Sequence, residues 1–146
     1  MAEQGLRTVI RSATPDDDVD SLLQGALARA RHARGGSALV EQLWGPAASD
    51  EFIREAVARD VAEGRVWVAL RDGELVGAAL VEARCIRGLW VAPDHRRQGV
   101  ATSLLSALLQ RPDAPRDAWA LPGDRATKSL YESVGWKARL LTMRGE

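Results

Sequence analysis

The segment "VAPDHRRQGVATSLLSALL", residues 91–109, decides the fold prediction. It begins as the end of an apolar run, passes through a proline and basic residues, and then takes on helical periodicity. Pro93 lacks an amide hydrogen and therefore ends a strand. Val100, Leu104 and Leu108 recur at a spacing of four and form one apolar row of a helix. The segment predicts a strand, a polar loop and a core helix in succession.

The loop between this strand and helix has the composition of an anion-binding site. Residues 96–99 lead directly into the unsatisfied amides of a helix start, which favour negative charge. Gly99 has no Cβ, so a phosphate group can approach its backbone. Arg96 and Arg97 add positive charge, and Thr102 adds a hydroxyl donor. The spacing differs from a Walker A loop and from a dinucleotide fingerprint, and a basic, solvated loop is the alternative interpretation.

The residues before this segment predict one strand followed by helices. "RTVIRSA", residues 7–13, alternates like a strand, and Thr14 and Pro15 are typical of an N-cap and a first helical position. Apolar residues at spacings of three and four then predict a helix: Val19, Leu22, Leu23, Ala26, Leu27 and Ala30. Residues 37–46, "SALVEQLWGP", predict a short helical piece with uncertain boundaries.

A further helix follows, with Ser49 as its N-cap and Gly64 as its C-terminal stop. Its predicted apolar face is Phe52, Ile53, Ala56, Val57 and Val61. The period then changes: "RVWVAL" and "LVGAALVEA" flank an Asp72-Gly73 turn, which is a strong hairpin signal. "CIRGLWV" is close enough to pair next, which predicts an antiparallel meander.

The rest of the chain predicts a crossover and a final helix and strand. "DAWAL", residues 117–121, is the next strand, and a helix between two strands of one sheet makes them parallel. "DRATKSLYESVG" predicts a last helix with Gly135 as its cap, and "WKARLLTM" predicts a final strand. The predicted class is α/β, a single mixed central sheet of order βααβββαβαβ with helices on both faces.

Composition supports one domain and excludes several kinds of protein. The 146 residues carry a formal net charge of zero and are 46% apolar, which suits one compact domain over residues 1–146. No apolar run approaches the ~18 residues of a membrane span, and the start lacks a secretory signal. We therefore expect a soluble, cytoplasmic protein without membrane or nucleic-acid partners. Cys85 is the single cysteine, and His32 and His95 are far apart in sequence, so no metal is expected.

Two blocks of sequence resemble one known family. "RRQGVA", preceded by "LWVAPDH", resembles the (Gln/Arg)-x-x-Gly-x-(Gly/Ala) pyrophosphate loop of the GCN5-related N-acetyltransferases (GNAT). "LPGDRATKSLYESVGW" is similar to the family's C-terminal Asn-x-x-Ala-x-x-Leu-Tyr-Glu-x-x-Gly-Phe segment. The predicted element order also matches the GNAT fold over nearly the whole chain. The resemblance implies an acyltransferase with acetyl-CoA as its co-substrate and no metal.

The resemblance also implies roles for individual residues. The pyrophosphate would be held by the charge of Arg96, the hydroxyl of Thr102 and the amides of Arg97, Gln98, Gly99, Val100 and Ala101. The fourth and fifth strands would separate to admit the pantetheine arm, which would pair with the main chain of Leu89, Trp90 and Val91. An amine would attack the thioester directly while a strand-four amide, such as that of Val91, holds the carbonyl oxygen. Tyr131 would then protonate the departing thiolate, since an ordinary phenol has a pKa near ~10.

The sequence departs from the family pattern near the acceptor. Many members carry a carboxylate on the fourth strand, where this chain has "CIRGLWV". Glu82 and Glu41 are the candidate proton acceptors, with a solvated carboxylate as the alternative for each. His95 is of a suitable residue type but sits in the phosphate loop. Cys85 has no histidine near it in sequence and is expected to be a buried apolar residue, not a nucleophile.

Four further residues bear on substrate binding. Arg87 is a candidate for holding a substrate carboxylate, with a surface or ion-paired arginine as the alternative. Trp44 lies in the region that shapes the acceptor pocket in this family and is a candidate for stacking on the substrate. Asp124 stands where the family commonly has Asn, so a charged acceptor replaces an amide donor and a contact of this residue with the coenzyme is in doubt. Thr127 stands where the family commonly has Ala.

The leading functional prediction is N-acetylation of a primary amine on a small molecule. Two alternatives stay open: acetylation of a protein lysine or N-terminus, and a non-catalytic acyl-CoA-binding module. The second is motivated by the missing strand-four carboxylate. The expected partner is the small amine, and a homodimer stays open.

Overall fold

The computed structural model describes residues 7–32, 36–45, 48–120, 124–140 and 143. Its strands are β1 (Thr8–Ser12), β2 (Val66–Arg71), β3 (Glu74–Glu82), β4 (Cys85–Val91) and β5 (Asp117–Ala118). Its helices are α1 (Val19–His32), α2 (Gly36–Trp44), α3 (Asp50–Ala62), α4 (Val100–Leu109) and α5 (Arg125–Glu132), and a 3-10 turn spans Pro93–His95. The predicted α/β class is confirmed, and the short piece before Gly45 forms a helix of its own.

The five strands form one sheet in the order β1-β2-β3-β4-β5. The first four are antiparallel, and β5 is parallel to β4. Asp72 and Gly73 close the β2–β3 hairpin with φ values of 50° and 80°, as a type I′ turn requires. Both the hairpin and the parallel pair predicted from the sequence are confirmed.

The sheet separates two apolar cores. On one face α1, α2 and α3 cover residues such as Val68 and Ala78. On the other face α4 and α5 cover Ala69 and Ala79. The contact is closest at Gly77, where an added Cβ would lie 2.9 Å from Val100 Cγ1. The helix predicted to follow the polar loop is therefore seated directly on the sheet.

The predicted N-cap at Thr14 is wrong. Asp17 binds the Arg11 guanidinium through both oxygens, at 2.7 and 2.9 Å, and also accepts from the Thr14 amide at 2.8 Å. These bonds hold residues 14–17 in a turn, and the helix begins at Val19. Asp18 accepts from the Ser21 amide at 3.2 Å and takes the capping role.

The Arg11–Asp17 pair predicts a change in acid stability. The hydrogen bonds from Arg11 lower the pKa of Asp17 to about 2, so its stabilising effect is full above pH ~4 and is lost as the pH falls towards 2. Because Arg11 is 41% exposed, we expect only about 1 kcal/mol from this pair. The unfolding free energy of Asp17→Asn should be lower than wild type at pH 6 and equal to it near pH 2, in urea titrations.

Asp16→Asn is the matched control, since Asp16 is an exposed neighbour. It should follow the wild-type pH profile. A constant difference between Asp17→Asn and wild type across the whole pH range would contradict the ion-pair assignment.

Two other predictions are corrected. The prediction that Phe52 lies on the buried face of its helix is wrong: its side chain is 47% exposed, and the buried residues of α3 are Ile53 and Val57. The final strand is not formed by residues 136–140 or 143, and residues 141–142 of that prediction lie outside the described residues. Ser49 is confirmed as an N-cap, accepting from the Phe52 amide at 3.0 Å. No helix within the described ranges is long and apolar enough to cross a membrane.

Candidate functional site

The main feature of the site is the open edge of β4 beyond its short pairing with β5, which we call the cleft. The two strands pair only at Cys85 with Asp117 and at Ile86 with Ala118, and the Trp119 amide donates to the Ile86 carbonyl at 3.0 Å. Beyond Ile86, β4 continues to Val91 with no partner on this side among the described residues. The expected separation of the fourth and fifth strands is therefore present.

The amides along this open edge point into the cleft. Ala92 donates to the Val76 carbonyl at 2.8 Å, on the β3 side. Because successive amides of a strand alternate in direction, the amides of Leu89 and Val91 point to the opposite, open side. The amide of Trp90, between them, faces β3, where Trp90 pairs with Ala78. An extended ligand would thus pair with alternate residues of β4.

The cleft begins at a β-bulge. The β3–β4 register passes from Leu80 opposite Gly88 to Val81 opposite Ile86, which leaves Arg87 as the extra residue. A bulge re-aims the side chain it carries. Arg87 therefore leaves the regular alternation at the point where β4 loses its β5 partner.

The loop after β4 has the backbone of an anion site. Arg97 and Gly99 have φ values of 61° and 83°, so two residues in the left-handed backbone conformation lie just before α4. Such residues turn successive amides towards one point. Among the residues that the structure describes, no side chain caps the first turn of α4, and no atom lies within 4 Å of a Cβ added at Gly99. Free amides and open space above Gly99 fit a bound phosphate group.

Arg71, at the end of β2, fixes this loop. Its guanidinium donates to the Gln98 side-chain oxygen and to the Gln98 carbonyl, both at 2.5 Å, and its Nε donates to Thr8 Oγ1 at 3.1 Å. The C=O and N–H of one trans peptide point in opposite directions. By holding the Gln98 carbonyl, Arg71 directs the Gly99 amide towards the far side of the loop.

His95, in the 3-10 turn that precedes the loop, links this segment to β3. Its Nε2 lies 3.3 Å from a Glu74 carboxylate oxygen on β3, and its Nδ1 is buried without a hydrogen-bond partner in the described parts of the chain. The imidazole is therefore directed at the β2–β3 hairpin. This position favours a structural role for His95 over proton transfer.

Tyr131 lies on α5 in the core that faces α4. Its ring stacks on Trp136 with centroids 5.6 Å apart and an interplanar angle of 14°. Its hydroxyl makes no hydrogen bond to the described residues. Burial, with smaller contributions from Cys85 and Asp124, raises the pKa of the phenol above its usual range. Tyr131 is therefore a protonated donor at neutral pH.

Asp124 and Thr127, the two departures in the last motif, bind each other. The Thr127 amide and hydroxyl donate to the two Asp124 carboxylate oxygens at 3.0 and 2.7 Å. Asp124 is thus the N-cap of α5. Because both carboxylate oxygens of Asp124 accept from Thr127, a contact of Asp124 with the coenzyme is not expected. The Thr127 hydroxyl is one of these two donors, and the Ala that is common at this position would lack it.

A depression of about 310 Å³ lies on the α2–α3 side of the sheet, beside the bulge. Its lining is Leu43, Trp44, Phe52, Ala56, Arg59, Asp60, Arg65, Leu80, Glu82 and Arg87. Trp44 is only 9% exposed and contributes part of the wall from the core. Trp90 packs over Gly88, where an added Cβ would lie 2.4 Å from the indole.

Glu82 borders this depression between two guanidinium groups. Its oxygens lie 3.8 Å from Arg65 Nε and 3.6 Å from Arg87 Nε, which is beyond hydrogen-bond distance. Glu41, the other candidate carboxylate, lies on α2 and is not among the lining residues. The structure therefore brings Glu82 and Arg87 together at the start of the cleft.

Two other groups are now accounted for. Cys85 is buried, and this burial raises the pKa of its thiol, which is unfavourable for a nucleophile. No cluster of three or more potential metal ligands occurs within the described residues.

Arg71 and Trp119 were not predicted from the sequence as residues of the site. Arg71 ends β2 and Trp119 follows β5, and their places depend on strand pairing that no local motif reveals.

Comparison with known proteins identifies the family. A family model described as "Acetyltransferase (GNAT) domain" matches residues 62–138, which contain the cleft, the loop and α5. The chain belongs to the GNAT acetyltransferase family. A mycothiol acetyltransferase from Kocuria rhizophila is 39% identical over 89 residues, which cover 54% of this chain but only 29% of that protein.

Solved structures of N-acetyltransferases share the fold. The aminoglycoside N-acetyltransferase AAC(6′)-Iy, solved in complex with CoA, superposes with a TM-score of 0.61 at 20% identity, covering 97% of this chain and 96% of its own. An N-acetyltransferase from Staphylococcus aureus gives a TM-score of 0.64 at 18% identity, over 90% and 84% of the two chains. At these identities the likeness shows the fold alone.

Proposed function

We propose that this GNAT protein transfers the acetyl group of acetyl-CoA to a primary amine of a small molecule by direct attack. The observation that carries the proposal is the continuity of the site. The free amides of Leu89 and Val91 run along the open edge of β4 into the loop at Gly99. Acetyl-CoA is an extended thioester with phosphate groups, so its pantetheine arm would pair with β4 while its pyrophosphate lies at the loop.

The donor half of the reaction follows from the chain's own groups. The loop amides bind the pyrophosphate, with charge from Arg96 and Arg97, which pair with no carboxylate in the described structure. Acetyl-CoA supplies an activated thioester carbonyl. The amides of Leu89 or Val91 are preorganised donors for its oxygen as negative charge develops there.

Tyr131 acts as the proton donor to the leaving thiolate. Burial raises the pKa of the Tyr131 phenol and so makes it a weaker acid. The same apolar surroundings also raise the pKa of a thiol held beside it, so a thiolate there takes up a proton more readily. Its hydroxyl has no partner among the described residues, so donating to sulfur breaks no hydrogen bond seen there.

Glu82 is the proposed acceptor of the amine proton, through water. Its oxygens are available to accept a proton because neither neighbouring guanidinium is within hydrogen-bond distance of them. Its place at the cleft replaces the strand-four carboxylate that the sequence lacks. The depression beside it is of the size that small molecules occupy, which supports a small acceptor.

The test is release of coenzyme thiol from acetyl-CoA in the presence of small amines and of peptides with free lysine or N-terminal amines. Turnover with small amines supports the proposal. Turnover with peptides alone would favour a protein acceptor. Binding of acetyl-CoA without turnover on any amine would favour a non-catalytic module.

The fixed loop gives a separate prediction for Arg71. Arg71→Met removes both bonds to Gln98, so the loop amides lose their orientation. We expect the Kd of acetyl-CoA to rise roughly 10-fold, with little change in kcat at saturating acetyl-CoA. Calorimetry and steady-state kinetics measure the two effects.

Thr8→Val is the matched control, because it removes only the bond between Arg71 and β1. Its Kd should stay at the wild-type value. If Arg71→Met also binds acetyl-CoA normally, the loop does not depend on this tether.

A further inference from the structure

The Arg87 guanidinium is held in place before any substrate binds. Its Cζ lies 4.5 Å from the centroid of the Trp119 ring, so the group stacks on the indole face. Its Nε is buried, lies 3.6 Å from a Glu82 oxygen and has no hydrogen-bond partner in the described residues. Its terminal nitrogens also make no hydrogen bond there. A fixed guanidinium with unused donors results.

Such a group is suited to a carboxylate. The planar fork of an arginine matches the two oxygens of a carboxylate, and both bonds are charge-assisted. Because Trp119 already restricts the side chain, binding costs less conformational entropy than at a free surface arginine. The neighbouring Glu82 presents the opposite charge beside it. The pair is complementary to a zwitterion, in which an ammonium group lies next to a carboxylate.

The other lining residues of the depression restrict the class of ligand that it can bind. Its charged lining comprises Arg59, Asp60, Arg65, Glu82 and Arg87, three cations against two anions. Arg65 and Asp60 pair at 2.9 Å, so the remaining charge does not favour a polycation. The other lining residues are apolar: Leu43, Trp44, Phe52, Ala56 and Leu80. An apolar group of the ligand would contact this wall.

We propose that the acceptor is an α-amino acid with an apolar side chain, whose carboxylate binds Arg87 and whose amino group faces Glu82. This inference rests on the proposed function and names its substrate class. The amine nitrogen forms a bond to the thioester carbonyl carbon, and the carbon–sulfur bond breaks. Before this step the ammonium group loses one proton through water to Glu82, which releases it to solvent, so that a free amine attacks. The thiolate takes the Tyr131 proton, and the second nitrogen proton passes through water to Tyr131, which gives an N-acetyl amino acid, free thiol and unchanged enzyme.

The first test uses wild-type protein and three related amines: L-phenylalanine, L-phenylalaninamide and phenethylamine. Loss of a charge-assisted carboxylate contact should lower kcat/KM for thiol release at least ~10-fold for the two amines that lack it. The amide is the stringent comparison, because its amine is more readily deprotonated than that of the amino acid. Equal or faster turnover of phenylalaninamide would overturn the proposal.

The second test assigns the preference to Arg87. Arg87→Gln should remove the preference for phenylalanine over its amide, and Arg87→Lys should retain part of it, because the charge stays while the fork is lost. Arg54→Gln is the control, since Arg54 on α3 is exposed, pairs with Asp20 of α1 and does not line the depression. Retention of the full preference in Arg87→Gln would refute the assignment.

A third measurement separates this inference from the proposed function. If no amine releases thiol, the proposed function fails, and binding of N-acetyl-L-phenylalanine is then followed by tryptophan fluorescence. Trp119, under Arg87, and Trp44, in the wall of the depression, both contribute to this signal. Binding by wild-type protein that is lost in Arg87→Gln would still support the carboxylate site. Absence of binding, or equal binding by the variant, would contradict it.

Discussion

Gly99→Glu is expected to abolish acetyl-CoA binding, with a rise in Kd of at least ~100-fold, because a carboxylate would occupy the phosphate position. No atom of the described residues lies within 4 Å of the added Cβ, so the side chain would project into the space above the loop. Its charge would repel the pyrophosphate and its volume would displace it. Isothermal titration calorimetry with acetyl-CoA measures the loss directly.

Gly64→Glu is the matched control for this change. Gly64 has a φ of 78°, close to the 83° of Gly99, and its added Cβ also meets nothing within 4 Å. Both variants therefore carry the same left-handed strain and the same charge. Gly64 precedes β2, at the end of that strand opposite to Arg71 and the loop. It should bind acetyl-CoA normally, and normal binding by a folded Gly99→Glu protein would refute the anion site.

Tyr131→Phe is expected to lower kcat about 10-fold or more while the Kd of acetyl-CoA stays unchanged. The substitution removes only a hydroxyl that has no partner in the described structure. It keeps the ring that stacks on Trp136, so the fold of α5 and the walls of the cleft should persist. Steady-state kinetics at saturating acetyl-CoA and calorimetry separate the chemical step from binding.

The matched control for Tyr131 is Ser133→Ala. Ser133 is exposed just after α5, and its hydroxyl donates to the Leu130 carbonyl. Loss of that hydroxyl should leave kcat unchanged. A wild-type kcat for Tyr131→Phe would remove Tyr131 from the proton transfer and leave the thiolate to be protonated by water.

The sequence predicted the parts of the fold that depend on local pattern. Alternation and the Asp72-Gly73 turn predicted the hairpin, because a type I′ turn needs residues that tolerate positive φ. The polar loop and the row of Val100, Leu104 and Leu108 predicted the junction of β4 and α4, and all three side chains are buried. These signals are contained in short segments.

Features that depend on contacts between elements were missed. Thr14 has good N-cap chemistry, but the bidentate bond from Arg11 to Asp17 favours a turn and delays the helix to Val19. The bulge at Arg87 follows from strand register, which no local pattern specifies. The stack of Arg87 on Trp119 depends in turn on that bulge and on the early divergence of β5.

The central claim is direct transfer of acetyl from acetyl-CoA to a small amine, and single-turnover stoichiometry tests it most directly. Enzyme in excess over acetyl-CoA is mixed with the small amine that gives the fastest thiol release, and thiol and N-acetyl product are quantified together by mass spectrometry. We predict that both appear in equal amounts and at the same rate, with no acetylated protein. Thiol release without N-acetyl product, or acetyl accumulation on Cys85, would contradict the account.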